Sequence, residues 1–354
     1  MKIAVTADLH LTTREQHPER FHALENIVAQ AAELGVDKLI IAGDLFDQSC
    51  QNYAEFEAVC SQENARNVEF IVLPGNHDDR LSGRALAATN VEVVEAPALR
   101  RFGEQSLPFL LLPYLEGKTM GECIAGFAGE LPANGWVLVG HGDWSSRLHS
   151  QNPAEPGIYM PLTKADVEAY RPVLAVLGHI HKPFDGAPVH YPGSPCGLDI
   201  SETGRRRFLV VDAETGAVAP RWVDTDHLLF NESFLVLPVP DEQEILAAAI
   251  QERIKGWEIT AEEQEKVRVQ VKCFGYSTDK RALMETLKAG FAAFAFYRDG
   301  EPDLSGVSVS EDVNLAEIAT QVSAAVRQWE WLEDEHSPNR DEVLLQALQV
   351  IYGS

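Results

Sequence analysis

The sequence predicts an α/β fold in which two sheets pack face to face with helices outside, followed by a small α+β unit and a helical tail. Three observations support it. Short β-branched runs alternate with helical stretches over the first part of the chain, the pattern then changes to hairpins, and a second strand and helix alternation begins near residue 227.

The expected strands of the first part are Lys2 to Ala7, Lys38 to Ala42, Val68 to Leu73, Phe109 to Leu112, Trp136 to Val139 and Val173 to Leu177. Between the first two, Phe21, Leu24, Ile27, Val28, Ala31 and Leu34 recur at helical spacing, with Gly35 as the stop. Residues 51 to 66 are expected to form the next helix, and another is expected near 81 to 89. Hairpin strands follow at Val189 to Tyr191, Phe208 to Asp212 and Val218 to Val223, the last two joined by a turn at Glu214-Thr215-Gly216. The second unit reads as strand (Phe234 to Pro238), helix (Glu242 to Lys255), strand (Val267 to Cys273), helix (Asp279 to Ala289) and strand (Phe291 to Phe296). A Gly- and Asp-rich break over Asp299 to Gly306 then leads to two amphipathic segments. Leu315, Ile318, Val322, Val326, Trp329 and Leu332 form one apolar stripe. After Ser337-Pro338, Val343, Leu344, Ala347, Leu348 and Ile351 form the other. The expected division is 1–226, 227–298 and 307–354.

A chain of 354 residues is long for one core, and its 45 % hydrophobic and 23 % charged content suits a globular protein. No run approaches the length of a membrane span, and Met1-Lys2 leads straight into a strand, so neither a span nor an export signal is expected. Five cysteines without a CxxC pair argue against a disulfide framework and a structural zinc site, which suits the cytoplasm. The net charge is −25, from 54 acidic and 29 basic residues. Residues 1–225 hold 30 acids and 18 bases, leaving 24 and 11 beyond, so no removable tail carries the excess. Such a chain repels a polyanion at long range. Any contact with nucleic acid then relies on divalent cations, local basic patches or a partner's positive surface.

The chemistry concentrates where strands end. Asp8-Leu9-His10, Gly43-Asp44-Leu45-Phe46-Asp47, Gly75-Asn76-His77-Asp78, Gly140-His141 and Gly178-His179-Ile180-His181 each follow an expected strand. In an α/β sheet these points converge on one edge. The glycines let the backbone turn sharply and approach an ion closely. Carboxylate, amide and imidazole donors without thiolate favour Mn2+, Fe2+ or Zn2+ over a calcium cage. Seven donors exceed the needs of one ion and suit two, roughly 3.5–4 Å apart and sharing a carboxylate, an arrangement that binds a phosphoryl group and activates water.

DxH, GDxxD, GNHD, GH and GHxH, in this order, resemble the motifs of calcineurin-like metallophosphoesterases, whose fold is a two-sheet sandwich flanked by helices. The resemblance implies that Asp8, His10, Asp44 and His181 hold one ion and that Asp44, Asn76, His141 and His179 hold the other. It also implies that His77 faces the scissile phosphate and that Asp47 orients His77 from behind. Tyr191-Pro192-Gly193-Ser194-Pro195 and Leu177-Gly178-His179-Ile180-His181-Lys182-Pro183 look like the SbcD-type DNA repair exonucleases. That likeness implies a Mn2+-dependent nuclease acting on DNA, a capping domain over 227–298, and a tail that grips an SMC-like coiled-coil ATPase. A homodimer through the regions 51–66 and 81–89 is expected by the same analogy. The alternative is a phosphodiesterase or phosphatase of small or cyclic nucleotides.

Other residues carry weaker signals. Arg80, Arg84 and Lys182 adjoin ligand motifs and are candidate phosphate contacts. Arg205-Arg206-Arg207 reads equally as a phosphate contact or a solvated cluster. Asp78 reads as a helix cap, with a catalytic role as the alternative, and Asp143 as a turn residue. His17, His149 and His190 carry no spacing signal. Trp329 and Trp331 cannot share one buried face, which leaves one indole as an interface anchor.

Overall fold

The structure, a computed structural model, describes residues 1–145, 157–239, 241–310, 313–329 and 340–352. The chain forms two compact units, Met1–Leu198 with Arg205–Asp226, and Asp199–Gly204 with His227–Ser354.

The first unit runs β1 (Lys2–Thr6), α1 (Pro18–Glu33), β2 (Lys38–Ala42), α2 (Tyr53–Cys60), β3 (Glu69–Leu73), β4 (Val91–Val93), β5 (Ala98–Arg100) and β6 (Phe109–Leu112). It continues with α3 (Met120–Gly126), β7 (Val137–His141), β8 (Trp144–Ser145), β9 (Leu162–Thr163), α4 (Lys164–Tyr170) and β10 (Leu174–Gly178). Three hairpin elements and an edge complete it: β11 (Phe184–Gly186), β12 (Val189–Tyr191), β13 (Arg207–Asp212) and β14 (Val218–Trp222). Two six-stranded sheets result, ordered β14-β13-β1-β2-β3-β4 and β11-β12-β10-β7-β6-β5. The central strands are buried on both faces, which is why they read as unbroken apolar runs. Ile3, Val5, Ile40 and Ile71 pack with Phe109, Val137, Val139 and Val176 between the sheets. Ala4, Leu39, Ile41 and Phe70 face the other way, against Phe21, Leu24, Ile27 and Phe56 of α1 and α2. This is the mixed α/β sandwich that the alternation predicts.

Two expectations fail here. The helix expected over 51–66 stops at Cys60, where Ser61 caps it. Residues 81–89 form turns rather than a helix, with the helix-weakening Gly83 in their midst. α3 and α4 pass unnoticed in the sequence because seven-residue helices are too short to show a period. Each nevertheless has a capping box, Thr119 with Glu122 and Thr163 with Asp166.

The second unit runs β15 (Leu228–Val236), α5 (Glu242–Gly256), β16 (Val267–Ser277), α6 (Lys280–Gly290), β17 (Ala295–Phe296), β18 (Asp303–Val309), α7 (Val313–Gln328) and α8 (Arg340–Tyr352). β16 pairs in parallel with β15 on one edge and successively with β17 and β18 on the other. The Asp299 to Gly306 segment, expected as a break, thus contributes to β18, whose Val307 is buried in the core of this unit. Phe291, expected to open a strand, instead caps α6 and packs beside Trp257. α7 turns Ala319, Ser323 and Val326 inward and leaves Ile318 and Trp329 exposed, so its buried face is rotated from the expected stripe. Leu344 and Leu348 of α8 are buried as expected. Trp331, Leu332, Ser337 and Pro338 lie outside the described residues, as does His149. Among the described residues no helix is long and apolar enough to cross a membrane.

Candidate metal centre

The ends of β1, β2, β3, β7 and β10 deliver their polar residues to one place. Asp8, Asp44 and His141 are fully buried, and His179 and His10 nearly so. Their donor atoms fall into groups whose members lie within 4.8 Å of one another: Asp8, His10 and His181; His10, Asp44 and His77; Asp44, His141 and His179. Asn76 joins the last of these, its Oδ1 2.8 Å from His141 Nε2. All seven sequence-predicted donors and His77 are therefore brought together, with Asp44 in two of the groups.

The backbone there is contorted. Asp8, His10, Asp44 and His179 all have positive φ, at 55°, 45°, 51° and 95°, a region that non-glycine residues rarely adopt. Tight turns at the strand ends leave little room between segments. A Cβ on Gly75 would lie 2.1 Å from Asp44 Oδ1, and one on Gly178 would lie 2.0 Å from the Ala42 carbonyl. Glycine is required at both.

Hydrogen bonds fix the donors. His179 N–H donates to Asp8 Oδ1 at 2.8 Å and His77 N–H to Asp44 Oδ1 at 3.0 Å. His141 Nδ1 lies 2.9 Å from the Ala42 carbonyl, which aims Nε2 at Asp44 Oδ2, 3.4 Å away. His10 Nε2 lies 3.1 Å from His181 Nε2 and 3.6 Å from Asp44 Oδ2. Burial raises the Asp8 carboxyl pKa. Burial acts the same way on Asp44, but His141, His10 and His77 around it prevail and hold it below the usual carboxylate range. Burial lowers His10 to about 4. His141 is raised, because the Asp44 carboxylate outweighs its own burial.

These residues fit divalent cations. Asp8 Oδ2 is buried and accepts no hydrogen bond, and Asp44 Oδ2, equally buried, has only the His141 and His10 rings near it, at 3.4 and 3.6 Å. A buried carboxylate oxygen left that way is costly unless a cation meets it. The donors are oxygen and imidazole nitrogen only, which suits first-row divalent metals.

Residues that the sequence left as ordinary support the centre. Asp78 caps no helix. It is buried and accepts from Leu45 N at 3.0 Å, Phe46 N at 2.9 Å and Gly75 N at 2.9 Å, tying the Asp44 turn to the Asn76 turn. Burial, reinforced by Asp44, raises its pKa to about 6. Arg206 and Arg207 are neither solvated nor free for phosphate. Arg206 is 1 % exposed and donates to the His181 carbonyl, and to Ser194 O and Oγ at 2.9 and 2.6 Å. Arg207 forks onto Asp185 at 2.6 and 2.9 Å. The Tyr191 to Pro195 segment braces the His181 loop, since Ser194 N–H donates to His181 O at 3.1 Å. Asp143, expected as a turn residue, is instead a buried carboxylate between β7 and β8 that accepts from Tyr159 N at 2.6 Å and places Oδ1 3.7 Å from His179 Nε2.

Asp47 departs from its expected place behind His77. Its Oδ1 accepts from Ser49 N and Oγ at 2.9 and 2.5 Å, and its Oδ2 lies 3.7 Å from buried Arg20, which donates to the His10 carbonyl. The turn after β2 spends this carboxylate locally, so its line of influence runs to His10. Arg80, Arg84 and Lys182 are exposed. His17 pairs with Glu19 and His190 with Asp185, away from the centre.

The calcineurin-like phosphoesterase profile matches residues 1–194. Over 255 residues the chain is 26 % identical to the DNA double-strand break repair protein Mre11 of Methanopyrus kandleri, covering 62 % of this chain and 55 % of that one. Over 90 residues it is 33 % identical to the Mre11 of Methanosarcina mazei, covering 23 % of this chain and 15 % of that one. The chain thus spans about half or less of these relatives' length. Among solved structures, an archaeal phosphodiesterase matches 63 % of this chain and 100 % of its own at 15 % identity, with a TM-score of 0.34. The purple acid phosphatase PPD1 of yellow lupin (Lupinus luteus) seeds matches 63 % of this chain and 51 % of its own, at 13 % identity and a TM-score of 0.38. With the profile spanning more than half of its residues, the chain belongs to the calcineurin-like phosphoesterases, a family of metal-dependent hydrolases.

Proposed function

We propose that this phosphoesterase is a DNA-cleaving nuclease of the SbcD type, hydrolysing phosphodiester bonds at a two-cation centre. The observation that carries the reading is the meeting of two donor groups on Asp44, one with His10 and His77 and one with His141 and His179, while His10 links the first to Asp8 and His181. The relatives named for DNA double-strand break repair support DNA as the substrate.

In this reading Asp8, His10, Asp44 and His181 hold one divalent cation, and Asp44, Asn76, His141 and His179 hold the other, Mn2+ being the first choice. Cations bound there polarise a phosphate and activate water near neutral pH. His77 is held by its own N–H on Asp44, and its ring meets His10 edge-on at 4.8 Å. From that position it donates a proton to the departing sugar oxygen. Asp47 acts through Arg20 on the His10 turn. Arg80, Arg84 and Lys182 take the flanking phosphates. The second unit serves as the cap, and its helices α7 and α8 seat an SMC-like coiled-coil ATPase that supplies the positive surface the chain lacks. Homodimerisation involves the α2 region, and the protein works in the cytoplasm.

The test is hydrolysis of end-labelled single- and double-stranded DNA with Mn2+, with and without such an ATPase, beside cyclic dinucleotides. Cleavage of DNA that depends on His77 is expected. A second reading, hydrolysis of small or cyclic nucleotides, is favoured by the size of the cleft beside His77, which at about 700 Å3 is that of a small-molecule pocket. Turnover of cyclic dinucleotides with DNA left intact under every condition would establish it instead.

A further inference from the structure

We infer that Tyr114 and Tyr159 form a stacking subsite for one unpaired nucleobase, the terminal base of a single strand whose phosphate reaches His77. The inference rests on the nuclease reading and names the form in which DNA enters.

A cleft of about 700 Å3 opens beside Asn76 and His77, with both tyrosines in its wall. Their rings lie 6.1 Å apart and tilted by 43°. Tyr159 lies against His179 at 4.6 Å, and Tyr114 meets His141 edge-on at 6.5 Å. A flat ligand on these rings therefore adjoins the donors of the candidate centre. Both residues are held by their backbones, Tyr114 N–H by Pro74 O at 2.8 Å, and Tyr159 by reciprocal bonds with Asp143 at 2.6 and 2.8 Å. These bonds fix where both residues stand, and the rings pack on one another and on His141 and His179, so a base meets them without backbone rearrangement.

Charge decides what enters. The cleft wall holds the carboxylates of Asp79, Glu95 and Glu116 and, among the described residues, no lysine or arginine. A run of phosphates is repelled there. A base is uncharged, and the amino groups of adenine, cytosine and guanine can donate to carboxylates. The volume is that of a small-molecule pocket and admits one nucleoside, not a duplex. Stacking on aromatic side chains is the ordinary means of holding an unpaired base.

The test uses the full chain with Mn2+ and two internally labelled single strands, one with ordinary ends and one with a tetrahydrofuran abasic residue at each end. The wild-type protein is expected to favour the ordinary strand by about tenfold in kcat/KM, residing in KM, as the loss of one stacked base implies. Tyr159→Leu and Tyr114→Leu, which keep apolar volume but remove the π face, should bring that ratio toward one. Tyr159→Phe should preserve it. Fluorescence of a terminal 2-aminopurine should be quenched on binding to the wild-type chain and less so with the leucine variants. Equal cleavage of both strands by the wild type overturns the subsite and leaves the nuclease reading intact. So does a preference that both leucine variants retain. Cleavage of neither strand, with or without an SMC-like ATPase, overturns both.

Discussion

His77 stands where two roles meet, since its ring is within donor distance of Asp44 and His10 yet opens on the cleft. In the proposed role of proton donor, its replacement by alanine should lower kcat by about 10²–10⁴-fold while the bound metal per chain stays the same, measured by elemental analysis. A parallel fall in metal content would make it a ligand. Asp78 makes the opposite prediction. Asp78→Asn sets amide hydrogens against backbone N–H groups that the carboxylate now satisfies. About 1–3 kcal/mol of stability should be lost, read by thermal denaturation, together with weaker Mn2+ binding as the Asp44 and Asn76 turns part. The donor set was legible because each donor follows a strand, and strand ends in a layered sheet share an edge. The supports were not. A run of three arginines looks solvated, and only the fold buries Arg206 against Ser194. Tyr114 and Tyr159 have no spacing to mark them, because their nearness is made by the sandwich and not by the chain.

At the scale of elements, the strands buried on both faces were the readable ones, since nothing polar interrupts Ile3–Val5 or Leu39–Ile41. β18 was obscured because only one of its faces is covered, which leaves Ser305, Gly306 and Ser308 looking like a loop. The edge hairpin β11–β12 is tied to β13 by Arg207, which forks onto Asp185 and donates to the Phe184 and Tyr191 carbonyls at 3.1 and 3.0 Å. Arg207 holds the Asp185 carboxyl below its usual 3.8, so the folded state binds its proton less readily than the unfolded chain does. The tie therefore contributes stability above about pH 4 and loses it as pH falls through the depressed folded value. Asp185→Asn should lower Tm at neutral pH by a small amount, because Asp185 is 54 % exposed and water screens the pair. The difference from wild type should close in a pH series taken below about 4. A gap that stayed constant down to pH 2 would mean the fork acts by shape and not by charge.

For the whole molecule the governing quantity is a net charge of −25. A protein that binds DNA through lysine and arginine loses affinity steeply as salt rises, because counterions released from the phosphates gain less entropy when the bulk salt is more concentrated. Here the long-range force has the other sign, and screening it should help. Between 50 and 200 mM salt the Debye length falls from about 14 to about 7 Å, shorter than most of the distance over which like charges meet during approach. The association rate of the isolated chain with a single strand, at fixed Mn2+, should therefore rise with salt, measured by stopped-flow anisotropy. Adding a basic ATPase partner should reverse the slope, since the positive surface then lies on the complex. A rate that falls with salt in the isolated chain would place the dominant field at a local patch such as Arg80, Arg84 and Lys182, and the need for a partner's charge would disappear.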